Sequence, residues 1–178
     1  MNQGANIIRL SDVKILPDGS TFKARPNPED KPSKSLEKEI KDRKSRLQQA
    51  VIYGKAALQD SSKKNVYLAG DKEKAFDVAF ADFLNAPSID AIDLSAYTGR
   101  IGSQIFITVV DDFAVVSVYV KIQNSDGSIA DEGYAEPGLF KTEWTFSASQ
   151  DNPILKGDKI TVTASDIPGN DAAMERML

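Results

Sequence analysis

Aspartates that directly follow apolar, β-like stretches are the residues of this sequence best placed to do chemistry. Asp111 and Asp112 end one such stretch, and Asp166 ends another, with Asn170 and Asp171 close behind it. Carboxylate and amide oxygens are ligands that Ca²⁺ prefers, so these residues form a candidate metal site. The alternative, which we favour, is that each Asp or Asn accepts hydrogen bonds from its own turn.

The residue types that the chain lacks exclude most other kinds of active site. The sequence has no cysteine and no histidine. Disulfides, thiol catalysis, zinc sites built on Cys or His, and Ser-His-Asp triads are therefore excluded. Carboxylate, lysine, tyrosine and hydroxyl chemistry remain, but no intact catalytic motif uses them. We therefore predict a non-enzymatic protein without a cofactor.

Two loop motifs superficially resemble ligand sites, and both fail on spacing. An EF-hand loop around Gly127 would place Ile122 and Gly133 at positions that need a carboxylate. The stretch "GRIGSQ" at 99–104 lacks the lysine and hydroxyl residue of a phosphate-binding loop. We interpret both stretches as turns.

Acidic and aromatic side chains in the second half of the chain support two further hypotheses. Glycoside hydrolysis needs two carboxyl groups across a cleft, and nothing in the sequence arranges three available glutamates in that way: Glu132, Glu136 and Glu143. Exposed aromatic rings could stack on sugars, and three rings are candidates: Tyr119, Tyr134 and Phe140. Exposed tyrosines on a sheet more often pack across strands, and Trp144 is better assigned to the core.

Composition and charge predict an ordinary soluble globular protein. The 178 residues are 41% hydrophobic and 27% charged, and the formal net charge is −4. This acidic balance argues against nucleic-acid binding, although residues 32–64 are rich in lysine. The N-terminus lacks the regions of a signal peptide, and no apolar run is long enough for a membrane span. We therefore expect a protein that is cytoplasmic as synthesised.

The chain divides into four predicted segments, and the fold class is α+β. Residues 1–31 form an extended arm of short β-like pieces, turns and a proline-rich stretch. Residues 32–87 form two helices, residues 88–170 an antiparallel β-sandwich, and residues 171–178 a C-terminal tail.

Apolar periodicity predicts the two helices. The first begins near Ser33 or Ser35, ends near residues 59–65, and carries one narrow apolar stripe: Leu36, Ile40, Leu47, Val51 and Leu58. A coiled coil is the competing interpretation of this stripe. The second helix runs from an Asp71 N-cap to about Asn85, and Pro87 ends it. Its buried face is expected to hold Phe76, Phe80, Phe83 and Leu84.

From residue 88 onward the apolar period becomes two, which predicts strands with one buried face. The inward residues are expected in four groups: Ile105, Ile107 and Val109; Val116, Val118, Val120 and Ile122; Trp144, Phe146 and Ala148; and Ile160, Val162 and Ala164. The Asp-Gly pair within residues 124–128 predicts a hairpin turn. Together these strands predict two antiparallel sheets packed face to face.

Three stretches in this half of the chain carry a family resemblance: "IFITVVDDFAVVSVYVKI", "DGSIADEG" and "ITVTASDIPGN". With them, residues 88–170 resemble the bacterial immunoglobulin-like β-sandwich modules of surface and secreted proteins. The resemblance implies that the second and sixth strands end at one pole of the sandwich. Asp111, Asp112 and Asp166 would then cluster there with Asn170 and Asp171. Residues 1–87 resemble no family that we recognise.

The same resemblance implies one more strand after the Gly-Asn turn at 169–170. The stretch "DAAMERML" that follows lacks alternation and contains good helix formers, so we predict a short helix or a loose tail. The strand at residues 160–164 would then have an open edge, which favours association. Either the N-terminal arm or a strand of another chain would fill that edge.

This organisation predicts a structural or interaction protein whose partners are proteins, through self-assembly or a larger complex. Long arms and open edges suit a repetitive assembly such as a virion. The alternative is a module that binds carbohydrate or another small ligand through the loops at one pole of the sandwich.

Overall fold

A computed structural model describes residues 13–15, 21–23, 33–68 and 74–178 of the chain. The chain forms two compact units, Met1–Lys44 and Ser45–Leu178. Within the described residues there are three helices and two four-stranded antiparallel sheets, which confirms the predicted α+β class and the β-sandwich. None of the described helices combines the length and apolar character that a membrane span requires.

The first unit contains a small hairpin and the start of helix α1, Lys34–Ala57. Strand β1, Val13–Ile15, pairs antiparallel with β2, Thr21–Lys23. Val13–Ile15 of the "VKIL" stretch therefore pair with β2, while the "NIIRL" stretch lies outside the described residues. Ser33 begins α1 near the predicted position, because its hydroxyl oxygen accepts a 3.3 Å hydrogen bond from the Leu36 N–H.

Helix α1 ends at Ala57, and a short helix, α2, follows at Ser61–Tyr67. The sequence predicted two helices, so α2 is a correction. Asp60 is the reason, since its carboxylate accepts a 2.9 Å hydrogen bond from the Ser62 N–H and begins a new helix.

Helix α3 spans Ala75–Leu84 and corresponds to the second predicted helix, whose proposed cap, Asp71, lies outside the described residues. The fully buried residues of α1 and α3 are mostly small: Ala50, Gly54, Ala57, Ala75 and Ala79. A Cβ on Gly54 would lie 2.9 Å from the Phe76 ring, so the two helices approach closely. The four residues expected to form the buried face are only half-buried, and the fully buried face includes Asp82.

The sandwich consists of two antiparallel sheets. The first has the order β10-β9-β5-β6 and contains β5 (Val115–Gln123), β6 (Ile129–Tyr134), β9 (Lys159–Asp166) and β10 (Asp171–Met177). The second has the order β3-β4-β8-β7 and contains β3 (Ser88–Asp93), β4 (Gln104–Val110), β7 (Glu136–Pro137) and β8 (Glu143–Ser147). The predicted hairpin turn joins β5 to β6, with Gly127 at a φ of 87°.

One hydrophobic core lies between the two sheets, and the predicted inward residues are buried in it with one exception. Val116 is 52% exposed. A β-bulge between Val115 and Ser117 in the pairing of β5 with β9 explains this correction, because the extra residue is displaced from the alternation.

Residues Asp171–Met177 form strand β10, so the prediction of a short helix or loose tail is wrong. Gly169, at a φ of 92°, allows the tight turn, and β10 then pairs antiparallel with residues 159–165 of β9. The alternation of β10 is weak in the sequence because Met174 is its one large apolar residue packed against the core. The chain therefore closes the edge of β9 with its own last strand.

Candidate functional site

Three aspartates from separate elements meet at one end of the sandwich. Asp111 directly follows β4, Asp166 is the last residue of β9, and Asp82 lies on α3. One carboxylate oxygen of each lies within 4.8 Å of the other two. We call Asp82, Asp111 and Asp166 the acidic cluster. It brings together two residues of the predicted site and one that sequence analysis missed.

The other predicted residues lie beside the acidic cluster. Asp112 is exposed, and its Oδ2 accepts a 2.7 Å hydrogen bond from Asn85 Nδ2. Asn170 contacts the cluster, since its Nδ2 lies 2.7 Å from Asp166 Oδ2. Asp171 is exposed and accepts a 2.6 Å hydrogen bond from Ser165 Oγ. Calcium binding by Asp111, Asp112 and Asp166 stays a prediction.

Two members of the acidic cluster also cap their own turns. Asp111 Oδ1 accepts a 2.8 Å hydrogen bond from the Phe113 N–H. Asp166 Oδ1 accepts hydrogen bonds from the N–H groups of Gly169, at 2.9 Å, and Asn170, at 2.6 Å. These contacts are the turn caps that the sequence predicted, and they occupy one oxygen of each carboxylate.

Asp82 has no turn to cap, and its side chain is fully buried. Its Oδ2 accepts a hydrogen bond from the Tyr67 hydroxyl, which lies 2.8 Å from the Tyr53 hydroxyl. In residues 33–68 and 74–178, its Oδ1 has no hydrogen-bond partner, and neither has the buried Oδ2 of Asp111. The sequence signal for Asp82 was its spacing of three from Ala79, which puts a charge on the small-residue face of α3.

Burial and like charge together perturb the acidic cluster. Burial, assisted by repulsion from Asp166 and Asp111, raises the pKa of Asp82 to about 7, although the Tyr67 hydrogen bond opposes the shift. Burial also raises the pKa of Asp111, and the charges of Asp112 and Asp166 add to that effect. The pKa of Tyr67 is raised, chiefly by burial. The site thus favours either a proton or a cation.

Asn170 joins the β9–β10 turn to the end of α3. Its Nδ2 lies 3.2–3.3 Å from the carbonyl oxygens of Asp82, Phe83 and Asn85. Phe113 makes a second connection, because its ring stacks on Tyr67 of α2 with centroids 4.9 Å apart. The helices of the second unit therefore hold the same end of the sandwich as the acidic cluster.

An apolar cleft of about 590 Å³ lies next to the acidic cluster. We call it the pole cleft, and its lining includes Val109, Asp111, Phe113, Val115, Thr142 and Trp144. Trp144 is 7% exposed, as expected for a core residue, and its buried Nε1–H has no acceptor among the described residues. The pole cleft therefore has mostly apolar walls, with Asp111 and Thr142 as polar residues in its lining.

The remaining candidates do not combine into a site. Three exposed glutamates lie on different strands: Glu132 on β6, Glu136 on β7 and Glu143 on β8. Tyr119 and Tyr134 pack edge to face across β5 and β6 at 5.1 Å, as expected for cross-strand packing. Phe140 is 67% exposed in the connection between β7 and β8.

Comparisons with known proteins give distant structural similarity and no match by sequence. No protein-family model matches the chain, and no curated protein matches it. The chain is similar to the crystal structure of CopC from Methylosinus trichosporium OB3b, with 16% sequence identity and a TM-score of 0.38. The match covers 50% of this chain and 87% of that chain. At this TM-score the description of the fold rests on the strand pairing above.

Proposed function

We propose that this protein is a non-enzymatic interaction protein built on an immunoglobulin-like β-sandwich, and that helix α1 pairs with α1 of a second copy. The exposed apolar stripe of α1 carries this proposal. In the second unit, Leu47 and Val51 lie on one helix face and are 41% and 37% exposed. In the first unit, Leu36 and Ile40 are 46% and 55% exposed.

A second copy is the occupant whose chemistry fits this stripe. Leu36, Ile40 and Leu47 fall at d, a and a positions of a heptad, with Arg43 at the d position between the last two, and so narrow a stripe is typical of a coiled-coil seam. Glu39 and Lys44 then fall at g and e positions. A parallel partner helix would bring these opposite charges together across the seam.

A helix pair closes on itself, so a repetitive assembly such as a virion needs a second, different contact. We assign that contact to the arm, residues 1–31, most of which lie outside the described residues. On this proposal the chain is cytoplasmic as synthesised and later joins the assembly. Removing residues 1–31 should leave the helix pair intact and abolish larger species.

Sedimentation velocity of the full chain over a wide concentration range tests the helix pair. Leu47→Lys should convert the dimer to a monomer, because a charge would enter the seam. Ile52→Lys is the matched control, since Ile52 is 67% exposed but lies on the opposite side of α1. A wild-type chain that stays monomeric, or two variants that behave alike, would contradict the proposal.

The pole cleft supports a second candidate function, the binding of a carbohydrate or another small ligand. The lining of the cleft carries this hypothesis, because apolar side chains surround a space of about 590 Å³ that also contains Asp111 and Thr142. A sugar ring presents apolar C–H faces and hydroxyl groups, which match the apolar walls and these two polar residues.

The chain contains one tryptophan, so its fluorescence reports on the pole cleft directly. A glycan array should identify a ligand, and that ligand should change the Trp144 emission with saturation. Thr142→Lys should block binding because Thr142 lines the cleft. Ser147→Lys should not block binding, because Ser147 is an exposed residue of β8 outside the lining of the cleft. An array without any response would remove this candidate.

A further inference from the structure

Two buried oxygens of the acidic cluster have no donor in the described part of the chain. Asp166 uses both of its carboxylate oxygens, in bonds to the Gly169 and Asn170 N–H groups and to Asn170 Nδ2. Asp82 and Asp111 each use one oxygen only, which leaves Asp82 Oδ1 and Asp111 Oδ2 buried and unpartnered. Buried carboxylate oxygens normally have partners, so these two need an explanation.

The cluster also has no compensating charge among the residues that the structure describes. Within residues 33–68 and 74–178, no lysine or arginine forms an ion pair with Asp82, Asp111 or Asp166. Asp82 is fully buried and Asp166 is 2% exposed, so water does little to screen their repulsion. A group of charges this close in a buried position needs a counterion or a proton.

We propose that Asp82, Asp111 and Asp166 together bind one Ca²⁺ ion, with water and backbone oxygens completing its coordination. The ligand set consists of oxygen alone, which hard cations prefer. Ca²⁺ binds oxygen at about 2.3–2.6 Å, so ligands on opposite sides of the ion lie about 5 Å apart. The 4.8 Å limit on the cluster's oxygens fits this span.

Ca²⁺ fits better than the other common hard cation. Mg²⁺ binds oxygen at about 2.0–2.1 Å, requires near-ideal octahedral geometry and gives up its water reluctantly. A site with three protein carboxylates in a buried setting favours the larger and more adaptable ion. The absence of histidine and cysteine disfavours zinc and copper.

A bound Ca²⁺ would join three elements of the second unit. Asp82 brings α3, Asp111 brings the end of β4 in one sheet, and Asp166 brings the end of β9 in the other. The ion would therefore hold the helices against both sheets at this end of the sandwich. This role is independent of helix pairing through α1, so either proposal can fail without the other.

Isothermal titration of the EDTA-stripped full chain with CaCl₂ tests the site, with MgCl₂ as the comparison and thermal unfolding as a second readout. We expect one Ca²⁺ per chain and a rise of several degrees in melting temperature. Mg²⁺ should give a weaker response or none. Asp82→Asn should weaken Ca²⁺ binding at least tenfold while keeping the side-chain volume and the acceptor for Tyr67.

Asp77→Asn is the matched control, because it makes the same substitution on α3 at an exposed residue outside the cluster. It should bind Ca²⁺ as the wild type does. Asp111→Asn provides a second test should Asp82→Asn fail to fold. Wild-type protein without saturable Ca²⁺ binding would overturn the proposal and leave a shared proton as the cluster's occupant. Equal binding by Asp82→Asn and Asp77→Asn would overturn it as well.

Discussion

Two buried carboxylates of this protein, Asp131 and Asp82, have opposite surroundings. Asp131 in β6 is 4% exposed, and both of its oxygens are used by four donors: the N–H groups of Glu132, Ser149 and Gln150 and the hydroxyl of Ser149. Asp82 is also buried, but it has one donor, one free oxygen and two neighbouring carboxylates. The donors around a buried acid, and not burial itself, decide whether it is structural.

The difference separates a carboxylate that holds the fold together from one that is suited to binding a ligand. Asp131 connects β6 of one sheet to residues 149–150, which follow β8 of the other sheet. Its charge is neutralised by N–H dipoles that the fold supplies, so it needs nothing from outside. Asp82 has one donor and two neighbouring carboxylates that repel it, which is the pattern expected of a ligand-binding site.

Replacing Asp131 should have the largest effect. Asp131→Asn puts an NH₂ group against donors that need an acceptor, so we expect a loss of about 3 kcal/mol in the free energy of unfolding. Urea unfolding measures it, with the exposed neighbour Glu132→Gln as the control. A loss as small as that of the control would show that Asp131 is not the structural acid of the pair.

Replacing Asp82 should act in the opposite direction. In EDTA at pH 8, Asp82→Asn removes a buried charge that repels Asp111 and Asp166, and we expect a gain of about 2 kcal/mol in the free energy of unfolding. The same urea experiment measures this gain. A destabilised Asp82→Asn protein would remove the contrast with Asp131.

The pH dependence should sharpen the contrast. The pKa of Asp82 is raised to about 7, so the folded chain holds a proton that the unfolded chain has already released above about pH 4. Wild-type stability from this group therefore falls as pH rises from about 4 to 7. In EDTA the advantage of Asp82→Asn should shrink by more than half between pH 8 and pH 5, and a constant advantage would contradict the assignment.

The smallest effect should come from an exposed acid with a partner. Glu175 in β10 lies 3.1 Å from Lys159 Nζ, and both side chains are substantially exposed. Exposed ion pairs contribute about 0–1 kcal/mol, so Glu175→Gln should change the urea midpoint very little. A large loss would mean that the edge strand depends on this pair, and exposure would then be a poor guide to the role of an acid here.

Two of the three residues of the acidic cluster could be predicted from the sequence. Asp111 and Asp166 each follow an alternating strand, and the implied strand order puts those strand ends together. Asp82 could not be placed in the same way, because the position of a helix relative to a sheet depends on packing between distant residues. Only its location on the small-residue face of α3 gave a local signal.

The contrast between local sequence signals and contacts between distant residues also explains the errors in the predicted fold. Alternation identified the core strands because their inward residues are large and apolar, as in β9. Strand β10 has one such residue, Met174, and forms because β9 supplies a full row of backbone partners. The bulge at Val116 likewise depends on the register with β9, which no single stretch of sequence contains.

The bonds from Asn170 to α3 have a consequence for how the second unit comes apart. A helix end normally leaves carbonyls that water or a local cap must satisfy. Here a side chain from the β9–β10 hairpin lies 3.2–3.3 Å from three such carbonyls. The last turn of α3 therefore loses its cap when the hairpin opens, so amide protons of both should exchange with deuterated solvent in one cooperative opening.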